Sequence, residues 1–326
     1  MRILKLTTLL PIVAIIFMAA APAAQAQDYP TRPIQVIVPF AGGSASDVIT
    51  RLLLNEMSKS LGQHFVVENK PGAGGNTGTA AATKAVPDGY TLLMSTSGPL
   101  AANITLFKNL GYDPAKELAP ISLFAVLPNI VVINSKLPPK TLTELIAYAK
   151  AHPKELNYGT VGVGSSQHLA AVYFEQITGV ELTHVPYRNI AQYMPDFLAG
   201  QVPLGFQLLP NVLGLLKSGD ARALAVTSDK RMTALPDVPT TEEAGVKNYV
   251  TGAWLALLAP AGTPKPIIDK LYKALAAAIK GPALKARFVE QGAEPTSPGP
   301  EALAKFMAAE TVKLGDIINK AGIPPM

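Results

Sequence analysis

Short apolar runs of strand length alternate with longer helical patterns along most of this chain, and that alternation constrains the fold more than any single motif. Residues 34–38, 64–68, 91–95, 129–133, 156–159, 182–185, 204–207 and 221–227 read as strands, often followed by Gly, Pro or Asn. Helical periodicity fills the intervals over 48–61, 75–85, 141–152, 166–178, 190–199 and 211–218. The pattern predicts parallel sheets covered by helices, the α/β class. Ligand sites in such sheets lie beyond the C-terminal ends of the strands.

Two apolar stretches, 120–133 and 253–260, read as crossovers between domains. The amphipathic helices expected over 264–280 and 300–321 have no strong strand between them, so they need the N-terminal sheet to pack on. The expected division is therefore a discontinuous first domain, 27–126 plus 250–326, and a second domain over 127–249.

The N-terminus sets the compartment. Arg2 and Lys5 precede an almost wholly apolar run over 6–20, and Ala24-Gln25-Ala26 supplies the small residues that a signal peptidase requires. A membrane anchor is the competing reading, but the run is shorter than the roughly 20 residues a span needs. The expectation is export to a bacterial periplasm with cleavage after Ala26. Loss of Arg2 and Lys5 takes the formal charge from +5 to +3, too small and dispersed for a nucleic-acid partner. With no cysteine in the chain, disulfides, thiolate catalysis and thiolate metal sites are excluded.

Three loops join strands to helices. Pro39-Phe40-Ala41-Gly42-Gly43-Ser44-Ala45-Ser46-Asp47 presents backbone N–H groups and a positive helix end, which together suit a carboxylate or phosphate. Gly162-Val163-Gly164-Ser165-Ser166-Gln167-His168 repeats the arrangement, with Ser165 or Ser166 able to cap the helix. Pro71 to Thr79 resembles a dinucleotide loop, but Thr77 stands where the third glycine belongs. No nucleophile elbow occurs, and His64, His152, His168 and His184 lack metal-ligand spacing. No catalytic residue, metal or cofactor is expected. An exported hydrolase built on Ser165 and His168 and a protein-interaction or sensing module are the alternatives.

In this order the loops, with Tyr29-Pro30-Thr31-Arg32-Pro33, Val67-Glu68-Asn69-Lys70-Pro71-Gly72-Ala73-Gly74-Gly75-Asn76, Pro87-Asp88-Gly89-Tyr90, His184-Val185-Pro186-Tyr187 and Leu235-Pro236-Asp237-Val238-Pro239-Thr240, resemble the Bug family. These are the substrate-binding receptors of tripartite tricarboxylate transporters. The resemblance implies a two-lobed periplasmic-binding fold of the type II kind, two Rossmann-like domains joined by two crossover segments. It implies a monomer that closes over a small carboxylate and delivers it to large and small integral membrane subunits.

Phe40, Ala41, Gly42, Gly43, Ser44 and Ser46 from the first loop, with Gly164, Ser165, Ser166 and His168 from the second, are the expected ligand contacts. Asp47 is expected to order the first loop as a helix N-cap. Tyr187 offers an aromatic wall and Arg188 a carboxylate fork. Many relatives carry an acid where this chain has Gln207. Without it a ligand ammonium loses its charge partner, so an amine-free mono- or dicarboxylate is expected. Trp254, the single tryptophan, would favour an aromatic acid if it flanks the pocket.

Overall fold

The structure is a computed structural model and describes residues 29–326. The expected export segment, 1–26, lies outside the described residues. Strands β1 (Ile34–Val38), β2 (Phe65–Asn69) and β3 (Thr91–Thr96) form one parallel set with β1 in the middle. The seventeen-residue β4 (Leu118–Asn134) follows. Then β5 (Asn157–Thr160), β6 (Thr183–Pro186) and β7 (Leu204–Leu208) make a second parallel set around β5. Strands β8 (Ala221–Val226), β9 (Gly252–Pro260) and the short β10 (Glu294–Pro295) complete the sheet.

The strand order is β2-β1-β3-β9-β4-β7-β5-β6, with β8 and β10 also paired to β4. Residues 118–128 of β4 pair antiparallel with β9, and residues 129–134 pair antiparallel with β7 and β8. The two stretches read as connections are thus members of the sheet. Register shifts at Pro120/Ser122, Leu123/Ala125 and Val131/Val132 let so long a strand bend between its partners.

Buried side chains fall into groups that follow the two ends of β4. Ile34, Val36, Leu92 and Leu257 pack with Leu271, Leu275 and Phe288 from helices Lys265–Lys280 and Pro282–Glu290. Val131, Ile133, Phe174, Leu204, Phe206 and Tyr249 form a separate group. Among the described residues, the first and last segments thus share one group, here called the terminal half, and the segment between them forms the other, the central half.

The halves are joined where β4 passes between them. Asn129 O accepts from Thr227 N at 2.9 Å and from Thr227 Oγ1 at 3.0 Å, while Asn129 N donates to Thr251 O at 3.2 Å. They also touch beside the sheet, where Ala102, Leu106 and Ile318 meet Leu169. A Cβ added at Gly98 would lie 2.4 Å from Gly164 O, and one at Gly74 would lie 2.3 Å from Val163 O. Backbone meets backbone along this seam.

Candidate functional site

Helix Ala45–Leu61 follows β1 and helix Ser166–Thr178 follows β5, so each begins at the C-terminal end of the central strand of its set. Ser44 and Ser165 are the N-caps. Their hydroxyl oxygens accept from Asp47 N and His168 N, each at 3.4 Å. The first helix starts at Ala45, three residues earlier than the apolar periodicity suggested, because the Ser44 cap sets its start.

Asp47 is therefore not the N-cap; it sits in the first turn and ties the loop from below. Its carboxylate accepts from Gly43 N, Arg51 Nε and Asn69 Nδ2, all at 2.9 Å. Asn69 Nδ2 also reaches Phe40 O at 2.9 Å. Burial alone would raise the Asp47 pKa, but the hydrogen bonds from Arg51, Asn69 and Gly43 and the Arg51 charge outweigh it and hold the carboxyl below its ordinary range.

The two helix starts face one narrow cleft between the halves. Phe40, Ala41, Ser44 and Ser46 line it from the terminal half, and Ser165, Ser166 and Arg188 from the central half. In a helix start the first N–H groups have no acceptor within the helix. Ser44 and Ser165 satisfy the third of each helix, which leaves the N–H groups of Ser46, Ser166 and Gln167 at or beside the cleft. Arg188 is exposed, makes no ion pair among the described residues and is the one charged side chain lining the cleft. Among the described residues no aspartate or glutamate lines it. Partial positive charge from two helix ends plus one guanidinium is an arrangement that suits an anion.

The other expected contacts are placed elsewhere. Gly42 and Gly43 are exposed at the loop's apex and shape the turn. Gly164 has φ +81°, and a Cβ there would fall 1.9 Å from Asn103 Oδ1, so it serves close approach and not the cleft wall. His168 is buried against His184 with ring centroids 4.6 Å apart, and its Nδ1 faces Gly164 N at 3.3 Å. Burial and then the neighbouring His184 push its pKa down to about 3, while burial pushes His184 down to about 4. Both rings are neutral near pH 7, which suits packing, and the His168 Nδ1 meets the Gly164 N–H and not the Ser165 hydroxyl. Ser165 Oγ instead donates to Gly162 O at 2.7 Å.

Tyr187 turns from the cleft to pair with Asp196 and pack on Tyr193. Gln207 is fully buried, donating to Gly159 O at 3.2 Å, and does not line the cleft. Trp254 lines a separate pocket with Phe306 and donates to Glu310 at 3.0 Å. It belongs to β9 and faces the C-terminal helix Pro300–Lys320, so it supplies no aromatic wall here. Phe40 is the aromatic that does. Two residues escaped the sequence reading, Asn69 beneath the first loop and Asn211 at the cleft, each an asparagine at or just past a strand end.

The family model described as tripartite tricarboxylate transporter family receptor (TctC) matches residues 49–323. Among solved structures, the periplasmic binding protein BugD is 37% identical, with 91% of this chain and 100% of that one covered and a TM-score of 0.87. Rpa4515 of R. palustris, solved with adipate, is 37% identical over 92% of this chain and 100% of its own, with a TM-score of 0.89. MatC (Rpa3494) of Rhodopseudomonas palustris, solved with bound malate, is 33% identical over 89% and 100%, with a TM-score of 0.83. The α/β fold expected from the strand and helix alternation is the fold of these binding proteins.

Proposed function

The chain belongs to the tripartite tricarboxylate transporter family of receptors, solute-binding proteins and not enzymes, and from that premise we propose that its cleft captures a small amine-free mono- or dicarboxylate. The observation that carries the reading is the convergence of two serine-capped helix starts on one cleft that holds Arg188 and no acid. The N–H groups of Ser46, Ser166 and Gln167 receive one carboxylate, and Arg188 at the rim is placed to meet a second. An amino group would enter a positive field with no carboxylate to pair with, which costs several kcal/mol on desolvation. Adipate and malate in the two related structures, both dicarboxylates without an amine, support this choice.

Capture proceeds by movement of the two halves, residues 27–126 plus 250–326 and residues 127–249, about the Asn129, Thr227 and Thr251 junction. A ligand touching both helix starts stabilises the closed arrangement by its differential contacts, and the closed surface is what the membrane subunits of the transporter receive. Export to the periplasm through the segment 1–26 places the protein where such a partner is met, as the periplasmic BugD structure supports.

The test is a thermal-shift and titration screen of the mature protein against C4–C8 dicarboxylates, monocarboxylates and amino acids. A ligand that binds the native state raises the melting temperature by mass action. Shifts from amine-free acids are expected; shifts from amino acids alone would overturn the ligand class, and loss of ester hydrolysis in Ser165→Ala would restore the hydrolase.

A further inference from the structure

The Ala45 N–H, the first of its helix, points across the cleft to Asn211 Oδ1 at 2.9 Å. Ala45 belongs to the terminal half, and Asn211 lies in the first turn of helix Leu209–Ser218, directly after β7 of the central half. The amide has one orientation. Gly159 O only accepts, so Gln207 presents Nε2 to it at 3.2 Å and turns Oε1 toward Asn211. Asn211 then donates its Nδ2 to Gln207 Oε1 at 3.3 Å, which leaves Oδ1 for Ala45. Because Gln207 is fully buried, the relay is anchored in the core.

A side-chain oxygen at hydrogen-bond distance from a helix-start N–H occupies the place where a carboxylate oxygen would be received. We propose that Asn211 is a latch across the cleft, holding the two halves together through the Ala45 N–H until a ligand carboxylate displaces it. The inference rests on the carboxylate-receptor reading above. A charged oxygen makes the stronger bond to a positive helix end than a neutral amide does. Exchange therefore favours a carboxylate, whereas a neutral amide ligand gains nothing over the Asn211 amide already there. Asn211 in this way selects acids over their neutral isosteres, and Gln207 acts on the ligand only by orienting it.

The test uses Asn211→Ala and Asn211→Asp in the mature chain, with thermal melts confirming that both fold. Small-angle scattering is recorded without ligand, and C4–C8 dicarboxylates and their diamides are titrated calorimetrically. For Asn211→Ala, a larger radius of gyration without ligand, several-fold tighter binding of the acid and a narrower gap between acid and diamide are expected. Asn211→Asp should weaken acid binding at least tenfold, since a fixed carboxylate takes the N–H and repels the anion. If Asn211→Ala keeps the wild-type radius and binds the acid no more tightly, the latch is refuted, and weaker binding would make Asn211 a direct ligand contact instead. Should the wild type bind no acid of the series while Asn211→Ala still opens, the receptor reading fails and with it release by a carboxylate, and only the cross-cleft contact stands.

Discussion

Gly98→Ala separates closing from folding. In this structure the new Cβ would lie 2.4 Å from Gly164 O and 3.3 Å from Gly164 C, whereas ordinary contact begins near 3.4 Å. The obstacle is backbone, so no side chain can swing aside; the two halves must part by about 1 Å. The substitution is otherwise benign, because Gly98 opens the helical turn Gly98–Ala102, where alanine is the better helix former. An overpacked contact costs about 1–3 kcal/mol. When that cost falls only on the closed form, it weakens ligand binding roughly 5- to 150-fold. The assay is calorimetric titration with the dicarboxylate that binds best, alongside scattering with and without ligand. Gly214→Ala is the control, since a Cβ there meets nothing within 4 Å. Wild-type affinity and a fully closed radius in Gly98→Ala would refute the seam as a closing surface.

Three further outcomes follow from the site. Asp47→Ala should cost about 2–3 kcal/mol in denaturant unfolding, since Gly43 N, Arg51 and Asn69 lose a shared charged acceptor; a loss below about 0.5 kcal/mol would deny the carboxylate its role in ordering the loop. His168 has a folded pKa near 3 against an ordinary 6.5, so as pH falls below 6.5 the unfolded chain binds a proton that the folded ring refuses. Unfolding free energy should then drop by up to about 1.4 kcal/mol per pH unit between 6.5 and 3. Glu175, raised by burial, works in the opposite direction and His184, lowered by burial, in the same one, and the slope assigned to His168 is the part that His168→Gln removes; an unchanged slope in that variant would show the ring is not responsible. Arg188→Gln should weaken dicarboxylates by roughly 0.2–1 kcal/mol, with little effect on monocarboxylates and more at low salt; equal losses for both classes would mean that Arg188 does not meet a second carboxylate.

Much of the fold was legible because alternation and loop chemistry act locally. The helix Ser166–Thr178 was read to the residue, since Ser165 caps its start and Gly179, with φ +68°, ends it. The start at Ala45 was missed because Ser44 lies outside the apolar periodicity that marked Val48. Residues 129–133 of β4 were legible as a strand, but the antiparallel pairing of residues 118–128 with β9 was not, since a doubly buried strand and an apolar connection share one pattern of Val, Ile and Leu. Within the site, the cap at Ser165 was readable from its loop, whereas the cap at Ser44 was not, because Asp47 was expected in that place. Nor were the positions of Gln207 and Trp254. Gln207 at the end of β7 is turned inward by Gly159 O, and Trp254 is drawn to Glu310 and Phe306 of a helix far along the chain. Asn211 carries no local signal beyond its place after a strand, and its role emerges only from a contact 166 residues away.

The most direct measurement is calorimetric titration of the mature protein with a C4–C8 dicarboxylate series, each acid matched to its diamide. If two helix starts and Arg188 form the anion site, at least one acid binds tightly and its diamide, equal in shape but uncharged, does not. Equal binding of an acid and its diamide, or no binding by any acid of the series, would contradict the cleft's assignment as a carboxylate site.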